Sequence, residues 1–378
     1  MAVLTEEQTM LRDAAKDWTR EAAPVSALRK LRDQDSEIGF DPAAWAQMGE
    51  MGWAGVVVPE AYGGSEFGYR SLGLVLEETG RSLVASPLIS TALVSASALT
   101  LGGAAAQKAA WLGKIAAAEI VATLALEEHP HHAPARTALK ASKSGDGWSL
   151  TGEKLFVLDG LAADLFIVAA RTSGQPGDEA GITLFLVEGT ADGLTRRRLH
   201  TVDSRGVADL SFDQVQVPAG AVLGQVEHGF ELLDQILDRA RVGLAAEMVG
   251  SAAQAFEITL EYLKTRSQFG QLIGTFQALQ HRAAKMFTAL EMTRSCVEAA
   301  LDAIDASAND VRALSSLAKA KASDTLHLVS NEMVQMHGGI GMTDAHDAGL
   351  YMKRARVAEA LFGGASFHRD RYASLMGF

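Results

Sequence analysis

The stretch WSLTGEKLFVLDGLAADLFIVAAR, residues 148–171, holds two runs of apolar and β-branched residues broken at Asp159–Gly160. Such runs bounded by Gly, Asp and Pro are strands. EIVATLAL (119–126), GITLFLVEG (181–189) and ADLSFDQVQVP (208–218) repeat the texture at close spacing, so this part of the chain reads as a small antiparallel β-domain.

Both flanks are patterned for helix. Upstream, Thr5 followed three residues later by Gln8 makes a capping box, and Met10, Leu11, Ala14, Ala15 and Trp18 recur at helical spacing. Asp41 as N-cap with Pro42 in the first turn announces a second helix. VVVPEAYGGSEFG (56–68) interrupts with a Pro and three Gly and reads as a loop, after which residues 72–117 return to helix. Downstream of VLGQVEHGF (222–230), Leu233, Ile236, Leu237, Ala240 and Leu244 form one helical stripe, and Leu314, Leu317, Ala318 and Lys321 belong to another. Helices, then strands, then helices is the segregated order of an α+β, mostly α, chain. The predicted segments are an N-terminal α-helical domain over 1–118, a middle antiparallel β-domain over 119–226 and a C-terminal helical bundle domain over 227–378.

With 378 residues the chain is long for a single core. Its 46 acidic against 34 basic residues give a net charge of −12, which repels phosphate backbones and argues against a nucleic-acid partner. The start shows no basic leader and no apolar run long enough to span a bilayer, so a cytoplasmic protein without a membrane partner is expected. The one cysteine, Cys296, excludes an internal disulfide and reads as buried helix filler. His129, His131 and His132 sit in a Pro-containing loop without metal-ligand spacing, and no metal is expected. Neither a G-x-G-x-x-G after a strand nor a P-loop is present, so a nucleotide cofactor would have to be held another way.

Two stretches carry polar residues that helix packing does not require. RSQFGQLIGTFQALQHRAAKM (266–286) sets Arg266 and Gln268 beside Phe269 and a Gly270 able to end one helix before the next. An Arg fork and a helix start together favour a phosphate anion. VQMHGGIGMTDAH (334–346) puts Gln335 ahead of Gly338, Gly339 and Gly341, where a ligand can approach the backbone closely.

Taken in order, R-x-Q-F-G, then F-Q-x-x-Q-H-R, then Q-x-H-G-G-I-G-M-T resemble the acyl-CoA dehydrogenase family. VPEAYGG (58–64), the β-domain runs and DLSFDQVQVPAGAVLG (209–224) extend the resemblance over nearly the whole chain. It implies a helical, a β and a four-helix domain. It also implies an FAD-dependent α,β-desaturation of an acyl-CoA thioester, serving fatty acid or steroid catabolism and passing electrons to an electron-transfer flavoprotein. A Glu takes the α-proton while the β-hydride leaves for FAD, and hydrogen bonds stabilise the developing enolate.

Carried over residue by residue, the resemblance splits. Arg266, Gln268, Phe269, Gln335, Gly338 and Gly339 stand where the family reaches across an interface to a neighbour's FAD. The segment that cradles a subunit's own flavin, typically T-E-P-x-x-G-S-D, here reads LEEHPHHAPA (126–135), and the family's W-I-T is Phe156, Val157 and Leu158. The family's Y-E-G-T falls on Phe362, Gly363, Gly364 and Ala365, which puts Gly363 at the catalytic Glu position. The alternative base position, directly before an Arg 28 residues ahead of Phe269, is Ala240. No catalytic residue is therefore assigned, although the Gly363 N–H could still face a thioester oxygen.

This pattern resembles the small subunits of bacterial heteromeric acyl-CoA dehydrogenases, such as those of pimeloyl-CoA dehydrogenase and of steroid side-chain breakdown. It implies an α2β2 tetramer with a homologous Glu-bearing subunit. The alternatives are a self-sufficient homodimer or homotetramer with a displaced base, from Asp234, Asp238 or Glu359, and a silent acyl-CoA-binding scaffold. Those three carboxylates read most simply as solvated helix charges.

Overall fold

The computed structural model describes residues 4–378. In chain order it begins with α1 (Glu6–Glu21), α2 (Val25–Asp33), α3 (Pro42–Glu50) and α4 (Gly68–Arg81), followed by a π-helical segment Leu88–Ser95 that runs into α5 (Ala96–Gly102) and then α6 (Ala105–Ala116). The strands are β1 (Ala122–Ala125), β2 (Lys140–Ser144), β3 (Gly147–Leu158), β4 (Leu165–Arg171), β5 (Ile182–Glu188), β6 (Leu194–Leu199), β7 (Val207–Val217) and β8 (Val222–Leu223). There follow α7 (Gly229–Thr265), the short strands β9 (Ser267–Gln268) and β10 (Gln271–Leu272), α8 (Gln277–Asp305), α9 (Val311–His337), α10 (Ala348–Ala360) and α11 (Ala365–Leu375). A helical N-terminal domain, a middle β-sheet domain and a helical C-terminal domain therefore succeed one another, as the sequence predicts. The chain divides into two compact units, Met1–Leu28 with Tyr69–Val84 and Arg241–Phe378, and Arg29–Gly68 with Ala85–Ala240.

In the first unit the predicted capping box at α1 is complete. Thr5 Oγ1 accepts the Gln8 N–H at 3.2 Å while Gln8 Oε1 accepts the Thr5 N–H at 3.2 Å. Helices α4 and α7 touch backbone to backbone: a Cβ on Gly80 would lie 2.1 Å from the Glu247 carbonyl oxygen, and one on Gly250 would lie 1.8 Å from that of Glu77. Only glycine allows that approach. Beside this seam the buried Arg354 donates to Glu247 at 3.2 Å, and Ser251 donates to the Gly80 carbonyl at 2.9 Å.

The predicted stripe on α9 holds in part. Ala318 is fully buried, but Leu314, Leu317 and Lys321 are half-buried, and Ser315, Ser316, Lys319 and Ser323 face inward beside Ala318, Ala322 and Leu326. Cys296 is also only half-buried, with its thiol pushed up by burial, so it is not the interior filler expected.

In the second unit the Asp41 side chain caps α3 as predicted, accepting the Ala43 N–H at 2.9 Å. The sheet runs β6-β7-β3-β2-β4-β5-β8, with β1 beside β4. It is antiparallel except that β1 pairs parallel with β4, as does β2 at the single pair Lys140–Arg171. The parallel pairing follows from the 126–139 connection, which carries the chain back to the end where β1 begins, so that β2 and, after the β2–β3 hairpin, β4 run in the direction of β1. Strand β4 is buried along its whole length, which explains its near-continuous apolar run. Strand β3 is bulged between Lys154 and Val157 against β7, which puts Phe156 at φ +53° and breaks the alternation expected of a regular strand. Lys154, fully buried, donates to Glu128 Oε1 at 2.6 Å and to the Leu126 carbonyl at 3.0 Å. Burial holds its pKa below the usual lysine value.

Candidate functional site

In the first unit, α7 stops at Thr265 and the chain enters a two-residue hairpin, with Gln268 opposite Gln271 and Ser267 opposite Leu272. Phe269 and Gly270 form its turn at φ +54° and +80°. Tight hairpins of this kind need positive φ at both turn positions, which glycine adopts freely and phenylalanine only under constraint. Gly270 thus makes a hairpin turn and does not serve as the helix stop expected from sequence. Arg266 is fixed through its backbone, its N–H donating to Tyr262 O at 2.9 Å and its carbonyl accepting the Ile273 N–H at 2.8 Å, while its side chain is exposed. Since it follows a helix C-terminus, the guanidinium itself, and not a helix N-terminal dipole, must supply any attraction for an anion. Phe269 is 91% exposed and meets Phe276 edge to face at 6.1 Å.

A second polar segment closes α9. Gly338 has φ +61° and ψ −136°, a region closed to residues with a Cβ, and both Gly338 and Gly339 border open space where a Cβ would point. His337, just before them, is buried. Its Nδ1 lies 2.7 Å from Met333 O and therefore donates to it, and burial lowers its pKa. Its ring stacks on Tyr262 at 4.3 Å and on His346 at 4.2 Å, and the Tyr262 hydroxyl donates to the His337 carbonyl at 3.4 Å. Tyr262 also accepts the Arg266 N–H, so one residue ties the hairpin carrying Arg266, Gln268 and Phe269 to the segment carrying Gln335, Gly338 and Gly339.

The third element is the turn between α10 and α11. Phe362 has φ +57° and Gly363 φ +103°. Lys319, 0% exposed on α9, donates from Nζ to the Gly363 carbonyl at 3.0 Å, to the Glu359 carbonyl at 3.2 Å and to Ser323 Oγ at 3.3 Å. His368, also fully buried, lies with Nε2 3.1 Å from the Phe362 carbonyl. The Gly363 N–H closes onto Ala360 O at 3.3 Å, so it is not held out for a ligand oxygen as the sequence reading allowed.

In the second unit, the Glu127 carboxylate lies 2.5 Å from His132 Nδ1, and its carbonyl accepts the Leu155 N–H at 2.7 Å. Val157 and Leu158 are buried and Phe156 is half-exposed. The Leu158 carbonyl accepts the Thr123 hydroxyl at 2.7 Å. His132 is therefore engaged by a carboxylate, while His129 and His131 are exposed. Among the described residues no group of three or more metal-ligating side chains is placed to hold an ion.

Residues 5–119, 128–215 and 227–376 match, in that order, the N-terminal, middle and C-terminal domains of acyl-CoA dehydrogenases. The chain belongs to the acyl-CoA dehydrogenase family. It is 31% identical to cyclohex-1-ene-1-carbonyl-CoA dehydrogenase of Geobacter metallireducens, with 96% of each chain covered. Among solved structures it resembles the Tcur3481–Tcur3483 steroid ACAD G363A variant, at 33% identity, TM-score 0.89 and 98% of both chains. It also resembles the ChsE4–ChsE5 complex of Mycobacterium tuberculosis, at 25% identity, TM-score 0.89 and the whole of both chains. The protein is an oxidoreductase acting on acyl-CoA.

The carboxylates considered as displaced bases in this dehydrogenase prove unlike one another. Asp234 and Asp238 are buried, Asp238 to 1% exposure, so they are not the solvated helix charges expected. Glu359 is partly exposed, takes the Arg356 guanidinium at 2.9 Å and lies 3.3 Å from His327 Nδ1, which makes it a paired surface charge. Ala240 is buried, and the guanidinium of Arg241 next to it sits 5.7 Å from the centre of the Phe367 ring. Neither Lys319 nor Glu127 stands out from sequence, since lysine and glutamate in a helical or turn pattern are ordinarily solvent-facing.

Proposed function

We propose that this chain is one subunit of a heteromeric acyl-CoA dehydrogenase, lending Arg266, Gln268, Phe269, Gln335, Gly338 and Gly339 to FAD held by a homologous, Glu-bearing partner. The observation that carries the reading is the backbone of residue 363. At φ +103° the position favours glycine, and a carboxylate-bearing residue would be strained there.

The residues at hand fit FAD on one side only. In the first unit an exposed guanidinium on a rigid hairpin and a glycine segment open to its surroundings suit a pyrophosphate and its approach. In the second unit Glu127 is engaged with His132 and Leu158 is apolar, so the hydroxyl donors of a flavin cradle are missing. When bound, FAD would supply the acceptor for the hydride leaving the acyl β-carbon. Arg266 would neutralise phosphate charge, Gln268 and Gln335 would offer amide hydrogens, and the exposed Phe269 ring would shield the anion from water. That two of the structural relatives, Tcur3481–Tcur3483 and ChsE4–ChsE5, pair two components supports a paired arrangement, with an electron-transfer flavoprotein as the acceptor of electrons.

The test is the visible spectrum. Expressed alone, the chain should carry far less than one FAD; expressed with its Glu-bearing partner, it should purify as a yellow assembly that oxidises acyl-CoA. A chain that is stoichiometric in FAD and active by itself sinks the reading. The burial of Asp238 favours a second one, a homo-oligomer with a displaced base, in which Asp238→Asn abolishes turnover of the isolated protein.

A further inference from the structure

Three carbonyl oxygens at the end of α10, those of Glu359, Phe362 and Gly363, are satisfied from inside the protein. Lys319 of α9 takes the first and third, at 3.2 and 3.0 Å, and His368 of α11 lies 3.1 Å from the second. Both side chains are 0% exposed. Helix C-termini ordinarily leave such carbonyls to water or to a glycine cap. Here two buried titratable side chains from two different helices converge on one short turn, and burying them is costly unless their hydrogen bonds are made. His368 is itself braced, its Nδ1 3.5 Å from Ser316 Oγ, which in turn accepts from Arg371 at 2.8 Å. The held turn has two successive residues at positive φ, one of them phenylalanine, a conformation that persists only where its surroundings over-determine it.

We propose that Lys319 and His368 are positioning residues that lock the Phe362–Gly363 turn in its left-handed form. The chain thereby presents a preset turn without a carboxylate where, on the reading proposed above, the family's base would stand. Neither residue acts on substrate. Lys319 fixes the exit of α10 and His368 fixes the entry to α11, and the turn between them has no freedom to swing a different side chain inward.

The experiment is backbone hydrogen exchange by mass spectrometry on peptides covering residues 358–366, in the intact chain. Lys319→Met and His368→Leu each remove the donor at similar volume, while His368→Gln keeps an N–H able to reach the Phe362 carbonyl. We expect exchange at the Leu361 and Gly363 amides, which bond to Val357 O and Ala360 O, to be at least about tenfold faster in Lys319→Met and His368→Leu. In His368→Gln it should return to within about threefold of the parent, with the Ser267–Leu272 hairpin unchanged throughout. Folded Lys319→Met and His368→Leu proteins with parental protection at these amides overturn the proposal, as does a His368→Gln variant that exchanges as fast as His368→Leu. Should Lys319→Met not fold, the His368 pair decides alone. Butyryl-CoA affinity of the same variants in the co-expressed assembly separates the two ideas. Faster exchange with unchanged affinity keeps the lock and refutes the placing of this turn at the acyl site, whereas both changing together supports the two.

Discussion

Lys319 is 0% exposed, which removes its charge from bulk solvent. Burial, outweighing the attraction of Glu359 and reinforced by the positive charge of Arg241, lowers its pKa from 10.5 to about 7. Between those values the unfolded chain binds a proton that the folded chain does not, so stability rises with pH through that window and falls away as pH drops through about 7. The melting temperature of the parent protein should therefore climb relative to that of Lys319→Met between pH 7 and 9, by at most about 1.4 kcal/mol of stability per pH unit. Parallel profiles for the two proteins would contradict this account of Lys319. Gly363 offers a second test at the same scale. Because the strain at φ +103° belongs to the backbone, Gly363→Ala and Gly363→Glu should both lose roughly 1–3 kcal/mol in chemical denaturation. An unchanged Gly363→Ala protein would show that the turn tolerates a Cβ.

At the scale of elements, the hairpin after α7 and the seam between α4 and α7 make separable predictions. Arg266 is held by its backbone and exposed at its tip, so Arg266→Ala should leave melting unchanged while weakening FAD binding in the assembly by about 10- to 100-fold, the span of a charge-assisted hydrogen bond of 1.5–3 kcal/mol. FAD affinity that survives the substitution removes Arg266 from the proposed site. Gly250→Ala acts on the seam instead. Its Cβ would fall 1.8 Å from a backbone oxygen of Glu77, and α4 and α7 must then separate, at a stability loss on the order of 3 kcal/mol. The caps at Thr5 and Asp41, the α7 stripe and the β4 and β5 runs were legible in the sequence because each is a local signal with one physical cause. Strand β6 was not, since LTRRRL looks solvated; its Arg196 in fact lays its guanidinium over Phe166 at 4.9 Å and donates to the Leu161 and Gly189 carbonyls. Nor could periodicity find the inward face of α9, where Lys319 and its serines obey hydrogen bonding instead of hydropathy. The candidate site was legible as a set of motif positions, but the conformations that give Gly363, Gly338 and Phe269 their meaning are dihedral facts that no spacing encodes.

For the whole molecule the decisive quantity is stoichiometry. Co-expressed with a Glu-bearing homologue, the chain should elute at the mass of two copies of each subunit, with FAD and turnover present only in that fraction. A homotetramer of this chain alone, yellow and active, would favour the displaced base. Among the described residues no helix is long and apolar enough to cross a membrane, and nothing in that assembly calls for one.

The locked turn also bears on descent. Glycine and glutamate codons can differ by a single nucleotide, so on the proposed reading a carboxylate at position 363 lies one mutation away. That mutation alters the side chain but leaves Lys319 and His368 gripping the carbonyls of residues 359, 362 and 363, and the new residue inherits a backbone unsuited to it. Reversal would need coordinated changes on α9 and α11 as well. On that reading the loss works as a ratchet, with dependence on a partner entrenched by two buried residues that never touch the chemistry.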